Sequence, residues 1–275
     1  MEVRIATLSE NTANFGFLAE WGLSILVETN KSKILLDTGL SLSAIHNAQL
    51  LDIDLSTVDK IILSHGHIDH TGGLREVLRR TGKVEVIAHP DIWASKYARL
   101  EEEEFRVGIP FQREELESLG ASFNLTRKPV NVGDGIMTTG EIPLTTSYEE
   151  IDSDIFVKRE GKLYPDPLAD DLALVIDVEQ GLIVIPGCAH RGIINTLHHA
   201  QKLTGKKSIH TVIGGAHLFR ASENQIELTV RALKGIGIKK LGVSHCTGFY
   251  ASARLAREFG DIFFLNNAGT CLTLP

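Results

Sequence analysis

Three histidines and one aspartate lie within six residues of one another: His65, His67, Asp69 and His70. Neutral imidazole is the commonest metal ligand among protein side chains, and a carboxylate adds an oxygen donor. A polar loop with surface histidines would explain any one of these residues but fits the cluster poorly. We expect His65 and His67 to bind one metal ion, and Asp69 and His70 to face a second.

The segments on either side of this cluster predict how it is positioned. A short apolar strand, Asp59–Leu63, precedes it, and a helix over Gly73–Arg80 follows. Ligands and catalytic groups collect at the ends of strands in layered α/β folds. Glycines at 66, 72 and 73 favour tight turns that aim successive side chains into one pocket.

Strands and amphipathic helices alternate along the rest of the chain, with hairpins in both halves, and this pattern predicts mixed sheets layered with helices. The predicted strands are Ile25–Glu28, Lys33–Leu36, Asp59–Leu63, Val84–Ala88, Leu172–Val178, Leu182–Ile185, Thr211–Ile213, Lys240–Val243 and a closing strand near Phe263–Leu265. The predicted helices are Ser41–Leu51, Gly73–Arg80, Arg113–Leu119, Ile193–Leu203, Ser222–Gly235 and Ala251–Phe259. We interpret residues 1–275 as a single domain, with an insertion at 90–130.

Composition excludes several classes of function. The net charge is −7 and no basic cluster stands out, so no nucleic-acid partner is expected. We see neither a signal peptide nor an apolar run of bilayer length, so no membrane association is expected. Three cysteines without a C-x-x-C pair argue against a disulfide framework and predict a reducing compartment, the cytoplasm. The acidic run 101–104 is interpreted as a solvated helix face or turn.

The pattern H-x-H-x-D-H after a strand resembles the metallo-β-lactamase superfamily. The resemblance continues at Leu35–Gly39, similar to that superfamily's early strand ending in an aspartate that supports the metal ligands; a turn or N-cap role for Asp37 is compatible. It implies an α/β fold, an αββα sandwich of two mixed sheets flanked by helices. Further segments resemble a subgroup named for a dihydropterin–aminobenzene-ribofuranosyl-phosphate synthase, many members of which are known only as metal-dependent hydrolases. These segments are Thr139–Pro143, Asp170–Leu174, Gly187–Gly192, Gly214–Leu218 and His245–Gly248.

The resemblance implies three further ligands: a mid-chain histidine, a bridging aspartate and a late histidine. His245 matches the late one. Cys188 occupies the bridging-aspartate place, with His190 two residues on; alternatively, His190 is the mid-chain histidine shifted later, and then no bridging aspartate remains. Cys188 could equally be a small buried hydrophobic residue. Glu141 stands where the mid-chain histidine is expected and is a candidate oxygen ligand or substrate contact.

Residues of the later strand ends are candidates for the substrate side of the site. His217 follows a predicted strand and is interpreted as a phosphate donor or proton shuttle at the rim, or else as a capped surface histidine. Arg191 and Arg220 neighbour the same loops, and arginine forms bidentate contacts with phosphate.

These residues together predict a metal-dependent hydrolase in which one or two divalent ions activate water, and Asp69 orients it. Zinc is favoured, with manganese or iron as alternatives. The expected partner is a small phosphate-containing or otherwise electrophilic substrate. A synthase-type transferase that releases pyrophosphate is the alternative. A non-catalytic or di-iron redox module is a second, although the di-iron members carry Glu at the place of His67. Segment 90–130 could form a homo-oligomer contact.

Overall fold

The computed structural model describes residues 2–274. The strands are β1 Val3–Ser9, β2 Ser24–Glu28, β3 Lys33–Leu36, β4 Lys60–Ile62, β5 Val84–Ala88, β6 Lys96–Leu100, β7 Glu103–Arg106, β8 Ala121–Leu125, β9 Asn131–Gly133, β10 Ile136–Thr138, β11 Ile155–Arg159, β12 Lys162–Pro165, β13 Ala173–Val178, β14 Gly181–Pro186, β15 Ile209–Gly215, β16 Lys240–Ser244 and β17 Cys271–Leu274. The α-helices are α1 Ser43–Leu50, α2 Ile68–Thr71, α3 Leu74–Thr81, α4 Arg113–Ser118, α5 Ile193–Thr204, α6 Glu223–Ile236 and α7 Phe249–Phe259.

These strands form two large mixed sheets and one small antiparallel sheet. The first sheet has the order β17-β1-β2-β3-β4-β5-β8, and the second has the order β16-β15-β14-β13-β10-β9. Each combines an antiparallel hairpin with parallel strands, β3-β4-β5-β8 in the first sheet and β14-β15-β16 in the second. The third sheet has the order β12-β11-β6-β7.

The two large sheets pack face to face, and helices cover their outer faces. One apolar cluster joins side chains of both sheets, a second joins the first sheet to α1, α3 and α4, and a third joins the second sheet to α5, α6 and α7. Because both faces of each sheet are covered, its inner strands are continuous apolar runs; every residue of β14 is buried. The layers are helix, sheet, sheet and helix, which confirms the αββα sandwich.

Parallel strands of both sheets end at one edge of the sandwich, and the candidate residues follow those ends. Asp37 follows β3, His65 follows β4, Cys188 follows β14, His217 follows β15 and His245 follows β16. The fold therefore brings together residues that lie far apart in the chain.

Most predicted elements are confirmed within two residues, but the closing strand is wrong. Phe263 makes only an isolated bridge to Leu241, and the last strand of the described range is β17, which pairs with β1. Segment 90–130 is more regular than predicted. It contributes β6 and β7 to the third sheet and adds β8 to the edge of the first. Of the acidic run 101–104, Glu101 and Glu102 form the turn between β6 and β7, and Glu103 and Glu104 begin β7, so the run is not a helix face.

The third sheet lies largely in solvent, and only Lys96 and Val157 of its strands are buried. Every residue of β7 is exposed, whereas Lys96 at the start of β6 is completely buried. Its Nζ lies 2.6 Å from Asp166 Oδ2 and 2.9 Å from Asp170 Oδ1. This buried ion pair ties the third sheet to the rest of the fold. Within residues 2–274, no helix has the length and apolar character that a membrane span requires.

Candidate metal centre

Three histidine side chains converge at the end of β4. His67 Nδ1 lies 3.0 Å from His65 Nε2, and His190 Nε2 lies 3.2 Å from the same atom. All three side chains are buried. A tetrahedral zinc ion with Zn–N bonds of 2.0–2.1 Å places its nitrogen ligands about 3.3 Å apart, so the spacing of this histidine triad fits a metal.

A second group of ligand atoms faces the first. His70 Nε2 lies 3.1 Å from His245 Nε2, and Asp69 Oδ2 lies 3.3 Å from His245 Nε2 and 3.8 Å from His70 Nε2. We call Asp69, His70 and His245 the mixed triad. It supplies two imidazoles and one carboxylate, which also suits a divalent ion.

Cys188 lies between the two triads. Its Sγ is 3.1 Å from His70 Nε2, and it falls within one ligand cluster with His65 and His70 and within another with His190 and His217. The sequence left open whether Cys188 or His190 replaces a standard ligand. The structure brings both to the centre, His190 to the histidine triad and Cys188 to the space between the triads.

Burial and neighbouring charges set the protonation of these histidines. Burial lowers the pKa of His67 to about 3 and holds the pKa values of His65 and His190 well below the ordinary value. The histidine triad is therefore neutral and presents lone pairs. Burial also opposes the charged form of His70, but Asp37 and Asp69 outweigh it and raise its pKa to about 9.

Asp37 holds the first ligand loop. Its carboxylate accepts from the Ser64 backbone N–H at 2.7 Å and from Ser64 Oγ at 2.6 Å, and it lies 2.7 Å from His70 Nδ1. The contact at Nδ1 leaves Nε2 of His70 facing the cluster. This supporting position is the one predicted for Asp37.

Two consecutive carboxylates hold two other ligand loops, and sequence reasoning did not assign either one. Asp170 Oδ2 accepts from the Gly66 backbone N–H at 2.8 Å, between His65 and His67. Asp171 Oδ2 accepts from the Arg191 backbone N–H at 3.0 Å, beside His190. Burial raises the pKa of Asp171 to about 7, although the backbone N–H lowers it. The only sequence signal was the Asp-Asp pair within a segment that carried the family resemblance.

Glu10 and Asn11 hold the last ligand loop and were also missed. The His245 backbone N–H donates to Glu10 Oε1 at 2.7 Å, and His245 Nδ1 lies 2.9 Å from Asn11 Oδ1. Nε2 of His245 is thereby turned toward the mixed triad. Each ligand loop thus has a buried polar partner that fixes its orientation.

Four of the eight non-glycine residues with a positive φ in the described range lie at this edge of the sandwich. Asp37, Ala189, His217 and His245 have φ values of 59°, 57°, 47° and 55°. Non-glycine residues rarely adopt this left-handed region, and the strain persists only where surrounding contacts determine the conformation.

The glycines of the first loop act by close approach rather than by turning, which corrects the prediction. None of the three has a positive φ. A Cβ on Gly66 would lie 2.6 Å from the Ile92 backbone oxygen, and one on Gly73 would lie 2.1 Å from the Thr38 oxygen. Only glycine lets the backbone pack this closely.

His217 reaches the centre from the side of β15. Its ring centroid lies 4.0 Å from that of His190, and its Nε2 contacts Asp152 Oδ2. Burial lowers the pKa of His217, but the hydrogen bond that its Nε2 donates to Asp152 outweighs it and raises the pKa to about 10. Sequence reasoning gave no signal for Asp152, because it lies in a loop without a motif.

The structure places the three predicted substrate residues in different surroundings. Arg220 lines the cavity and pairs with Asp154. Arg191 donates from Nη1 to the Pro167 backbone oxygen at 2.6 Å, which commits its guanidinium to the backbone. Glu141 is exposed and bonded to Arg127 at 2.6 Å and to His89 at 2.9 Å. These partners hold the Glu141 carboxylate at the surface, so it is not brought to the ligand atoms.

A cavity of about 320 Å³ opens above the ligand atoms. The ligand and neighbouring side chains that line its floor are His67, Asp69, Cys188, His190, His217, His245 and Cys246. Its sides are mostly apolar: Trp21, Leu40, Ile68, Ala98, Leu100, Val107, Ile155 and Phe219. A small apolar cavity with convergent polar groups at its base is typical of small-molecule sites.

Comparisons with known proteins agree with this arrangement. The model of the family described as "Metallo-beta-lactamase superfamily" matches residues 22–245. The chain is 35% identical to a 7,8-dihydropterin-6-methyl-4-(beta-D-ribofuranosyl)-aminobenzene-5'-phosphate synthase of Methanocaldococcus jannaschii, over 97% of this chain and 95% of that protein. It is also similar to the crystal structure of Tm1679, a metal-dependent hydrolase of the beta-lactamase superfamily, with 30% identity, a TM-score of 0.85 and 98% of each chain covered.

A more distant structure shares the fold alone. Zn²⁺-bound PqqB from Methylobacterium extorquens has a TM-score of 0.58 and 14% identity, over 98% of this chain and 100% of that one.

Proposed function

Because the chain belongs to the metallo-β-lactamase superfamily, whose members similar to it are metal-dependent hydrolases and a synthase, we propose that it is a metal-dependent hydrolase of a small phosphate-containing or otherwise electrophilic substrate. One observation carries the proposal: two triads of ligand atoms face each other across Cys188 at the floor of the cavity.

The donor set supports two divalent ions. His65, His67 and His190 would hold one, and Asp69, His70 and His245 would hold the other. Imidazole and thiolate donors favour zinc over magnesium or manganese. A bound ion of this kind supplies Lewis acidity and lowers the pKa of a coordinated water to about 7.

The chain's own residues orient the reactants. Asp69 would orient the attacking water and accept its proton, in addition to contributing an oxygen ligand. Within residues 2–274, Nδ1 of His217 is buried without a hydrogen-bond partner, while Nε2 is held by Asp152. Nδ1 is therefore the atom available to donate to a leaving group or to a developing negative charge.

A substrate screen tests this function. Zinc-loaded protein is assayed with phosphomonoesters, phosphodiesters and lactones, and turnover of at least one class is expected. Asp69→Asn and His217→Gln should lower kcat about 10²–10⁴-fold, the range for a lost acid or base. Asp261→Asn, an exposed change, is the matched control. Failure of the fully metal-loaded protein to turn over any of the three classes would contradict the proposal.

A synthase-type transferase is the second candidate, and two observations favour it. The curated relative covers nearly the whole chain and is named as the synthase of a dihydropterin-methyl-ribofuranosyl-aminobenzene phosphate. Trp21 and Phe219 line the cavity and suit a flat ring. Release of pyrophosphate from a dihydropterin diphosphate that depends strictly on an arylamine would favour the transferase; release without an amine would favour hydrolysis.

The remaining expectations accompany this proposal. The three cysteines are free thiols, which supports a reducing compartment, the cytoplasm. A small molecule is the proposed partner, in keeping with the cavity volume. The di-iron redox alternative has less support, because His67 stands where those members carry Glu; a visible iron charge-transfer band would favour it.

A further inference from the structure

A second cysteine lies at the floor of the cavity. Cys246 follows the ligand His245, is buried to 3% exposure and lines the cavity together with it. A 3₁₀ turn over His245–Thr247, begun by the positive φ of His245, directs both neighbouring side chains to the cavity. Sequence reasoning assigned no role to Cys246.

The two cysteines lie close together on opposite loops. Ligand atoms of Cys188, His245 and Cys246 all fall within 4.8 Å of one another. The Cys246 thiol donates to the Cys188 backbone oxygen at 3.3 Å, which fixes Sγ on the side of Cys188. Gly215 makes this approach possible, because a Cβ there would lie 2.6 Å from Cys246 Sγ and 2.9 Å from Cys188 Cα.

We propose that Cys246 is a metal ligand, so that a metal position shared with His245 of the mixed triad has two thiolate donors, Cys188 and Cys246. The inference rests on the proposed metal-dependent function and extends it to this position's metal preference. Two zinc ligands with Zn–S bonds of about 2.3 Å lie about 3.8 Å apart in tetrahedral geometry, within the span of the cluster. On binding, each thiol releases its proton to solvent.

Two thiolate donors should make this position selective among divalent metal ions. Thiolates prefer zinc over manganese or magnesium, which prefer oxygen donors. A position with two thiolates should therefore take up zinc or cobalt in the presence of excess manganese. Without Cys246, the same position has a larger share of oxygen and nitrogen donors and should discriminate less.

X-ray absorption on the full-length protein loaded with zinc alone tests the proposal. The sulfur shell at about 2.3 Å should shrink in Cys246→Ser and in Cys188→Ser, and vanish in the double variant. Cys271→Ser, an exposed cysteine on β17, should leave it unchanged. Cobalt loading gives a second readout, since the sulfur-to-cobalt charge-transfer band should fall about two-fold in each single variant.

Wild-type protein gives an answer even where a variant does not fold, because its sulfur shell is counted directly. A shell that accounts for no more than one cysteine, or one that Cys246→Ser leaves intact in a folded protein, overturns the proposal. Binding of metal without any sulfur shell overturns it too while sparing the hydrolase. Absence of any bound metal instead removes the proposed function itself.

Discussion

The floor and the wall of the cavity are built in opposite ways. The ligand histidines and Cys188 of the floor are buried, and a carboxylate or amide holds each of their loops through backbone N–H groups or ring nitrogens. The wall, formed by the third sheet with Trp21 and Phe219, is apolar and partly open; these two side chains are 54% and 43% exposed.

This difference separates two tasks. The hydrogen-bonded loops of the floor keep the ligand atoms at fixed spacing. A metal centre needs this, because the partners that orient its ligands also tune its metal affinity. An apolar wall with few fixed contacts sets which substrate enters and can change without disturbing the metals. Lys96 joins the two regions, since it lies on β6 of the wall and bonds Asp170, which holds the Gly66 loop of the floor.

Removing the Lys96 ion pairs that connect wall and floor should have the largest effect on the protein. Lys96→Met leaves the buried carboxylates of Asp166 and Asp170 without their cation, and should lower the free energy of unfolding by about 3–5 kcal/mol. Chemical denaturation measures it, with the exposed Lys162→Met on the same sheet as control. Recovery is expected when Asn replaces both aspartates as well. Unchanged stability in Lys96→Met would mean that the Lys96 ion pairs contribute nothing to the free energy of unfolding.

Loosening the floor should reduce metal affinity. Asp37→Asn replaces a carboxylate that faces His70 Nδ1 and Ser64, and should weaken metal binding about 10–100-fold. Competition with a chromogenic chelator measures the affinity. The exposed Asp261→Asn should bind metal like the wild type. Equal affinity in both variants would show that the floor does not depend on this support.

Shortening a side chain of the wall should weaken substrate binding and leave metal binding unchanged. Phe219→Ala removes apolar contact worth about 1.5 kcal/mol, so KM should rise roughly ten-fold with kcat and metal content unchanged. Steady-state kinetics and elemental analysis measure both. Phe15→Ala changes a fully exposed ring outside the cavity and should leave KM as it is. Loss of metal in Phe219→Ala would show that the wall also contributes to metal binding, so that the two regions do not have separate tasks.

A change remote from both regions should have the smallest effect. Lys60 and Asn124 donate to Glu85 and lower the pKa of its carboxyl below 4.5. The folded state therefore binds this proton less tightly than the unfolded state, so the stabilisation is present above pH 4.5 and is lost as the pH falls through the folded pKa. Glu85→Gln should cost less than about 1 kcal/mol at neutral pH and nothing at low pH. A loss that grows as the pH falls would contradict this sign.

The site residues that could be predicted from the sequence are those marked by a local sequence pattern. The ligand motif, Asp37 and His245 each sit beside an apolar strand, and strand ends are visible in a single sequence. Asp170, Asp152 and Lys96 could not be assigned, because their roles depend on partners more than 60 residues away. Such contacts have no local signature.

The wrong closing strand also has a physical cause. The apolar run near Phe263 reads as a strand, but the Phe264 ring lies over Gly242 of β16, where a Cβ would come within 2.1 Å of it. The run thus packs on the sheet through its side chain and pairs with it only once.

Metal content per chain tests the central claim most directly. Elemental analysis is done on wild type, His67→Ala and the control His198→Ala, an exposed histidine of α5. The two facing triads predict about two ions per chain in wild type and in the control, with loss in His67→Ala. Wild-type protein that binds no divalent metal under any loading condition, or a His67→Ala variant that keeps its full content, would contradict it.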